Sequence, residues 1–388
     1  MKYQYIMHGW HLSYFSGKLR SYLRYKGLNF RDRPVNAFDM VVRIPKKTGV
    51  VVMPVLQTDR GEWLQDTTEI ITTLEQRHPQ PSITPASPRQ TIAAMLLEVW
   101  ADEHWIPTAM HYRWSFPDNY ALFRRDAGKA LLPFIPGPLR NRFVKTQVAD
   151  KMRSYLPGVG VVPEQFSAME VWTGQMLDHL ELHFSEHDYL LGGRPSVADF
   201  GLIGPLYAHL GRDPVPKREL LDTRPRLQAW VARAHNGEPA TGDFLADDVI
   251  PATLTPVFAS IFSEFYPMLD GIVTLVNDFV AAKSSAPGLA LPRSLGMIRF
   301  PMAGQAFSRR AVPYTLWMMQ RLRAHYQALP AAERQAVDQW FASQGQGSLN
   351  DLNLGPALQR RGLATRLAKS SAATPSPAPA AVASALTP

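Results

Sequence analysis

Over the first eighty residues the apolar positions alternate between two spacings. Tyr3 to Met7 reads as a strand, Lys18 to Lys26 has helical spacing and stops at Gly27, and Phe30 to Val35 and Val50 to Leu56 read as two more strands. A short fourth strand is expected near Glu62 to Leu64. Ile70, Ile71 and Leu74 then recur at helical spacing behind Asp66 and Thr67, which predicts a helix starting near Asp66 and ending near His78-Pro79. The order is β-α-β, then β-β-α.

Beyond Pro79 the pattern changes. Pro79 to Pro85 is turn-rich and reads as a linker, after which Ala93, Leu96, Leu97 and Trp100 fall on one helical face. Prolines at 133, 136 and 138 and glycines at 158 and 160 interrupt the helices. A long helix resumes near Pro163 with Met169, Trp172, Met176, Leu177 and Leu180 on its inner side. Ser196 and Asp199 have the spacing of a capping box at the start of a further helix. From 240 to 365 the pattern stays mostly helical, with Pro301 to Arg309 reading as loop or hairpin. The Ala, Ser, Pro and Thr of 370–388 cannot bury a core, so that tail is expected to be disordered.

One stretch carries chemistry beyond the pattern. Pro54 interrupts the apolar run Val50 to Leu56, and a central strand does not tolerate a missing N–H. Met53 is therefore placed at a turn into the strand, where a cis X-Pro bond would leave its backbone N–H and C=O unpaired and open to an extended peptide. Behind it, the helix start at Thr67 attracts a carboxylate and Asp66 an ammonium group. One small ligand carrying both charges fits.

Composition narrows the classes. With no cysteine in 388 residues, disulfides, thiolate metal sites and protein-thiol redox chemistry are excluded. The net charge of +8 comes from scattered basic residues with no block of five, so no nucleic-acid partner is expected. No uninterrupted run of 18 apolar residues occurs, so neither a membrane span nor a cleaved signal is expected, and cytoplasmic residence is the default.

Met53-Pro54-Val55-Leu56, the turn Asp59-Arg60-Gly61 and the segment Leu64-Gln65-Asp66-Thr67 to Ile70 resemble the glutathione-binding half of the glutathione S-transferase superfamily. Leu191 to Asp199 resembles the start of that family's core helix, and Pro225-Arg226-Leu227 with Trp230 its next helix. The resemblance implies an α/β thioredoxin-like domain over 1–80, a linker over 81–90 and an all-helical domain over 91–240. A helical extension over 241–368 and the tail 369–388 follow. It also implies glutathione as cosubstrate, a hydrophobic electrophile, a homodimer, a detoxification role and no metal.

On that resemblance, Met53 and Pro54 face the cysteinyl backbone of glutathione, Asp66 its γ-glutamyl ammonium and Thr67 its carboxylate, with Gln65, Lys46 and Lys47 within reach of a carboxylate. Lys18 to Arg20 and Lys26-Gly27 align with family landmarks and place Ser13 at the position of the thiolate-stabilising serine. Tyr14 stands where the family has proline, so Tyr14 and Ser16 remain rival hydroxyls, and Ser13 could equally be a plain helix cap. Tyr14, Trp105 and Tyr112 are the candidate electrophile wall, in an aromatic stretch that also holds His104 and His111. Two functions stay open: a glutathione transferase, or a non-catalytic binding protein of the same fold whose extension serves a partner.

Overall fold

A computed structural model describes residues 3–283 and 286–368, so the tail expected to be disordered lies outside the described residues. The chain begins with β1 (Tyr5–Gly9), α1 (Tyr14–Tyr25), β2 (Phe30–Pro34), a π-turn at Asp39–Arg43 and α2 (Ile44–Thr48). It continues through β3 (Val55–Thr58), β4 (Trp63–Gln65) and α3 (Thr67–Arg77). The sheet order is β2-β1-β3-β4, with β1 parallel to β2 and antiparallel to β3. Leu19 and Leu23 of α1 and Ile70 and Leu74 of α3 are buried with Met7 and Leu56 of the sheet. Each such side chain contributes about 1.5–3 kcal/mol. This is a thioredoxin-like domain.

The apolar run Val50 to Leu56 enters the sheet only at Val55, because Pro54 cannot join the ladder and the Met53-Pro54 bond is cis. Residues 50–54 are left as an irregular approach to the strand.

Eight helical segments make the second layer: α4 (Pro88–Glu103), α5 (Ile106–Ser115), α6 (Pro117–Leu131), α7 (Gly137–Phe143), α8 (Asp150–Arg153), α9 (Phe166–Glu186), α10 (Val197–Pro205) and the short α11 (Pro214–Pro216). Helix α12 (Pro225–Asn236) closes the layer. Asp199 carries the start of α10: its carboxylate accepts the Ser196 N–H at 2.8 Å, the Leu190 N–H at 3.0 Å and the Trp230 indole N–H at 3.1 Å. Between the two layers, Lys18 of α1 is fully buried and bonds Glu98 at 2.7 Å and Asp102 at 2.5 Å on α4.

The extension holds α13 (Thr255–Ser260), α14 (Tyr266–Ala282), a hairpin of β5 (Met297–Met302) and β6 (Gln305–Arg310), α15 (Pro313–Ala328), α16 (Ala331–Ser343) and a second hairpin of β7 (Leu358–Arg361) and β8 (Ala364–Leu367). It is therefore helical with two hairpins, of which the sequence reading anticipated the first as one of two options. Phe258, Ile272, Leu316 and Trp340 share one apolar core with Trp100, Trp172 and Leu177, so the extension is packed into the helical layer. The kinked stretch Ala246–Ala282 has an 18-residue window of mean hydropathy 1.2, long and apolar enough by composition to cross a membrane. Here Met268, Leu269, Ile272, Val273 and Val276 of its last helix are core residues, while Asp270, Thr274 and Asn277 are exposed.

Candidate functional site

Where the sheet edge meets the helical layer, a cavity of about 640 Å³ is lined by Met53, Pro54, Gln65, Asp66 and Thr67, five of the residues singled out from sequence. Among the described residues no backbone hydrogen bond engages Met53. Gln65 ends β4 and Thr67 begins α3, so the chain turns sharply at Asp66, which sits at φ 71° and ψ 112°. A non-glycine residue rarely adopts a positive φ, and such residues gather at ligand sites. The Asp66 carboxylate caps α3 by accepting the Thr68 N–H at 3.2 Å.

The opposite wall belongs to the extension. Arg360 of β7 pairs its Nη2 with Asp66 Oδ2 at 2.9 Å, and Tyr314 at the start of α15 donates its hydroxyl to Asp66 Oδ1 at 3.1 Å. The guanidinium of Arg360 also lies over the Tyr314 ring, 4.8 Å from its centre. Both members of the ion pair are more than nine-tenths buried. Deeper in, Arg309 of β6 donates to the Glu103 carbonyl at 2.7 Å, and the Glu103 carboxylate accepts from Thr315 at 2.7 Å. Burial pushes the Glu103 carboxyl up, against the pull of Arg309. Burial likewise raises the Tyr314 phenol, and the Asp66 charge adds to it. Phe15, Val52, Ile106, Val159, Leu291 and Val312 add an apolar wall, and Arg293 and Arg361 also line the cavity.

The other candidates sit elsewhere. Ser13 is the N-cap of α1 and is half-buried: its Oγ accepts the Ser16 N–H at 3.3 Å, and its own O–H has no acceptor among the described residues. Ser13 does not line the cavity, although Phe15, two residues on, does. Leu12 lines a second cavity of about 410 Å³ with His11, Asp32 and Arg212, so Ser13 lies between residues that face two different spaces. Ser16 is buried, accepting the Trp10 N–H at 3.4 Å. Tyr14, Trp105 and Tyr112, expected as an electrophile wall, are core residues that line neither cavity. Tyr14 donates to the Ala101 carbonyl, Trp105 packs edge-on against Trp100 and Trp172, and Tyr112 stacks on Phe116. Lys46 and Lys47 are exposed on α2 and do not line the cavity, whereas Thr48 and Gly49 do.

His104 and His111 do not share a helix face, because the helix breaks between Glu103 and Ile106. His104 is enclosed by Trp172, Phe265 and Phe300, and His111 bonds Glu170 at 2.9 Å.

Sequence reasoning missed Tyr314, Arg309 and Arg360. Each lies more than 200 residues from its partner, and no local pattern announces a contact at that separation. A partial signal exists for Arg360: Gly362 stands at the first central position of the two-residue turn Gly362-Leu363, where a hairpin calls for a positive φ.

Residues 7–82 match the family model for the glutathione S-transferase N-terminal domain, and residues 174–233 match that for the C-terminal domain. None of the curated proteins compared matches the chain. Similar solved structures include the β-etherase LigF from Sphingobium sp. strain SYK-6, at 20% identity with a TM-score of 0.43, covering 59% of this chain and 94% of that one. A glutathione S-transferase from Methylobacterium radiotolerans in complex with glutathione sulfonate is 18% identical with a TM-score of 0.37, covering 63% and 99%. A GST-like protein from Pseudomonas syringae is 23% identical with a TM-score of 0.40, covering 60% and 67%. The two glutathione S-transferase family models are thus matched in chain order, the first on the thioredoxin-like domain and the second within the helical layer.

Proposed function

We propose that the protein binds glutathione in the 640 Å³ cavity and activates its thiol for transfer to a hydrophobic electrophile. The observation that carries this reading is the meeting, in one cavity, of an unpaired Met53 backbone with Asp66 and Thr67 at a helix start. The first suits an extended cysteinyl backbone; the second suits a γ-glutamyl head, with its ammonium at Asp66 and its carboxylate at Thr67. The apolar wall suits a hydrophobic second substrate. In the reaction the thiol proton passes to solvent, a sulfur lone pair forms the bond to the electrophilic carbon, and the leaving group departs with the electron pair of the carbon bond that breaks.

Ser13 is the proposed donor to the thiolate. Its O–H is uncommitted, and the N-terminus of α1 favours negative charge beside it. A donor here lowers a thiol pKa from about 8.5, each unit corresponding to about 1.4 kcal/mol. The rival is a binding protein without catalysis, and one observation favours it: Ser13 is outside the cavity lining and already serves as a cap.

Calorimetric titration with glutathione separates these. The expected result is saturable binding that Asp66→Asn weakens roughly tenfold or more, since a hydrogen bond to a charged group is worth about 1.5–3 kcal/mol. Ser13→Ala is expected to leave affinity intact and raise the pKa of the bound thiol, followed by thiolate absorbance. Absence of binding at millimolar glutathione would sink the proposal. Binding with an unshifted thiol pKa in the wild type would select the non-catalytic rival.

A further inference from the structure

Two neighbouring segments leave large apolar side chains in water. Around α7, Phe134 is 96% exposed and Leu139 64%, with Ile135 and Phe143 also out; around the π-turn and α2, Val41 is 72% and Phe38 56% exposed. Scattered exposed apolar residues need no explanation, but a cluster of this size marks an interaction face. The two segments cover one small core: Val35 and Ile44 from the first are buried with Leu131, Val144 and Ala149 from the second. Leu139 and Phe143 stand four apart and share a side of the helix.

Cations accompany these residues. Arg140, Arg142, Lys145, Lys151 and Arg153 outnumber the one carboxylate of the second segment, Asp150. In the first, the Asp39 carboxylate is buried and already paired with Arg33 and Arg43. Among the described residues Lys46, Lys47, Arg142 and Lys145 have no ion-pair partner, and Lys46, Lys47, Arg142 and Lys145 are exposed. A helix presenting exposed Leu and Phe beside Arg and Lys has the composition of an element that lies in the plane of a membrane surface.

We propose that this face docks on an anionic lipid surface, with Phe134, Leu139, Phe143 and Val41 entering the interfacial layer and Arg142, Lys145, Lys46 and Lys47 meeting the headgroup charge. Charge complementarity selects this occupant. A second copy docking through the same face would set cations against cations, which disfavours self-association. The sequence expectation of no membrane rested on the lack of an apolar run long enough to span, and an interfacial face needs none. The proposal is independent of what the cavity binds.

The test is co-sedimentation of the full-length protein with vesicles of phosphatidylcholine alone or mixed with phosphatidylserine, alongside sedimentation velocity without lipid. Expected is binding to the mixed vesicles that weakens with salt and is slight on phosphatidylcholine. Arg142→Ala and Lys145→Ala should each lower affinity about fivefold, the effect of one cation near an anionic surface. Phe134→Asp should reduce binding further, and a residue so exposed can change without disturbing the fold. Equal sedimentation with and without mixed vesicles overturns the proposal, as does wild-type binding by Phe134→Asp. A dimer in solution that Phe134→Asp dissociates, with no vesicle binding, assigns the face to a second copy and also overturns it.

Discussion

Single buried side chains show how far position overrides residue type. Asp66 was singled out as a ligand for an ammonium group, and in the fold its carboxylate meets a helix N–H, a phenol and a guanidinium at once. His104, which sequence could place on a helix but not in an environment, is fully buried among aromatic rings, and neither ring nitrogen has a hydrogen-bond partner within the described residues. Burial holds it neutral, with a pKa lowered from 6.5 to about 3 and Arg309 pushing the same way. As pH falls below about 6.5 the unfolded chain takes a proton there that the folded chain refuses. The His104 contribution to stability is thus full above 6.5 and is lost progressively down to about 3. Asp199 works in the opposite sense: burial raises it from 3.8 to about 6, so its contribution is full below 3.8 and is lost as pH rises through 6. Because these slopes oppose each other, a difference measurement is needed. His104→Leu should gain stability relative to the wild type as pH is lowered through the His104 window, measured by urea unfolding at neutral pH and in mid-window. A difference independent of pH would contradict the assignment.

At the scale of elements, the joints between helices are fixed by backbone contacts. Gly237 ends α12 at φ 67°, and a Cβ there would meet the backbone of Arg24 and Tyr25 at the end of α1. Gly237→Ala is expected to cost about 1–2 kcal/mol for the left-handed conformation and roughly 1–3 kcal/mol more for overpacking against that backbone. Chemical denaturation reads it as a lower midpoint with unchanged slope. Helix caps were legible where they act locally: Asp66 before α3 and Ser196 with Asp199 before α10 stand where their residue type predicts, whereas α1 begins at Tyr14 behind its cap Ser13, four residues before the Lys18 start that the apolar spacing predicts. The Val50 to Leu56 run was less legible, since β-branched residues signal a pleated, half-buried surface whether it is a sheet or a cavity wall. Val50 and Val52 line the cavity, and only Val55 and Leu56 enter the sheet. The aromatic stretch Trp100 to Trp114 misled for a related reason. Tryptophan and tyrosine signal burial, and here the burial is in the core.

At the scale of the molecule, two layers and an extension are held together by charges as well as apolar contact. The extension reaches Asp66 through Arg360, and α1 reaches α4 through Lys18, each across more than sixty residues of chain, which is why neither contact could be read from sequence spacing. Lys18 is fully enclosed with Glu98 and Asp102, and the Thr68 hydroxyl also donates to Glu98, so α1, α3 and α4 meet at one buried network. Removing one partner of a buried ion pair costs more than replacing all partners together, because the charge left behind keeps its desolvation penalty. Lys18→Met strands two carboxylates and should destabilise the protein by about 3–5 kcal/mol in urea unfolding. Lys18→Met combined with Glu98→Gln and Asp102→Asn should recover a large part of that loss. If the triple variant is no more stable than Lys18→Met alone, the network acts through its packing and not through its charge, and the joint between the thioredoxin-like and helical layers must be attributed to the apolar contacts that α1 makes with α10.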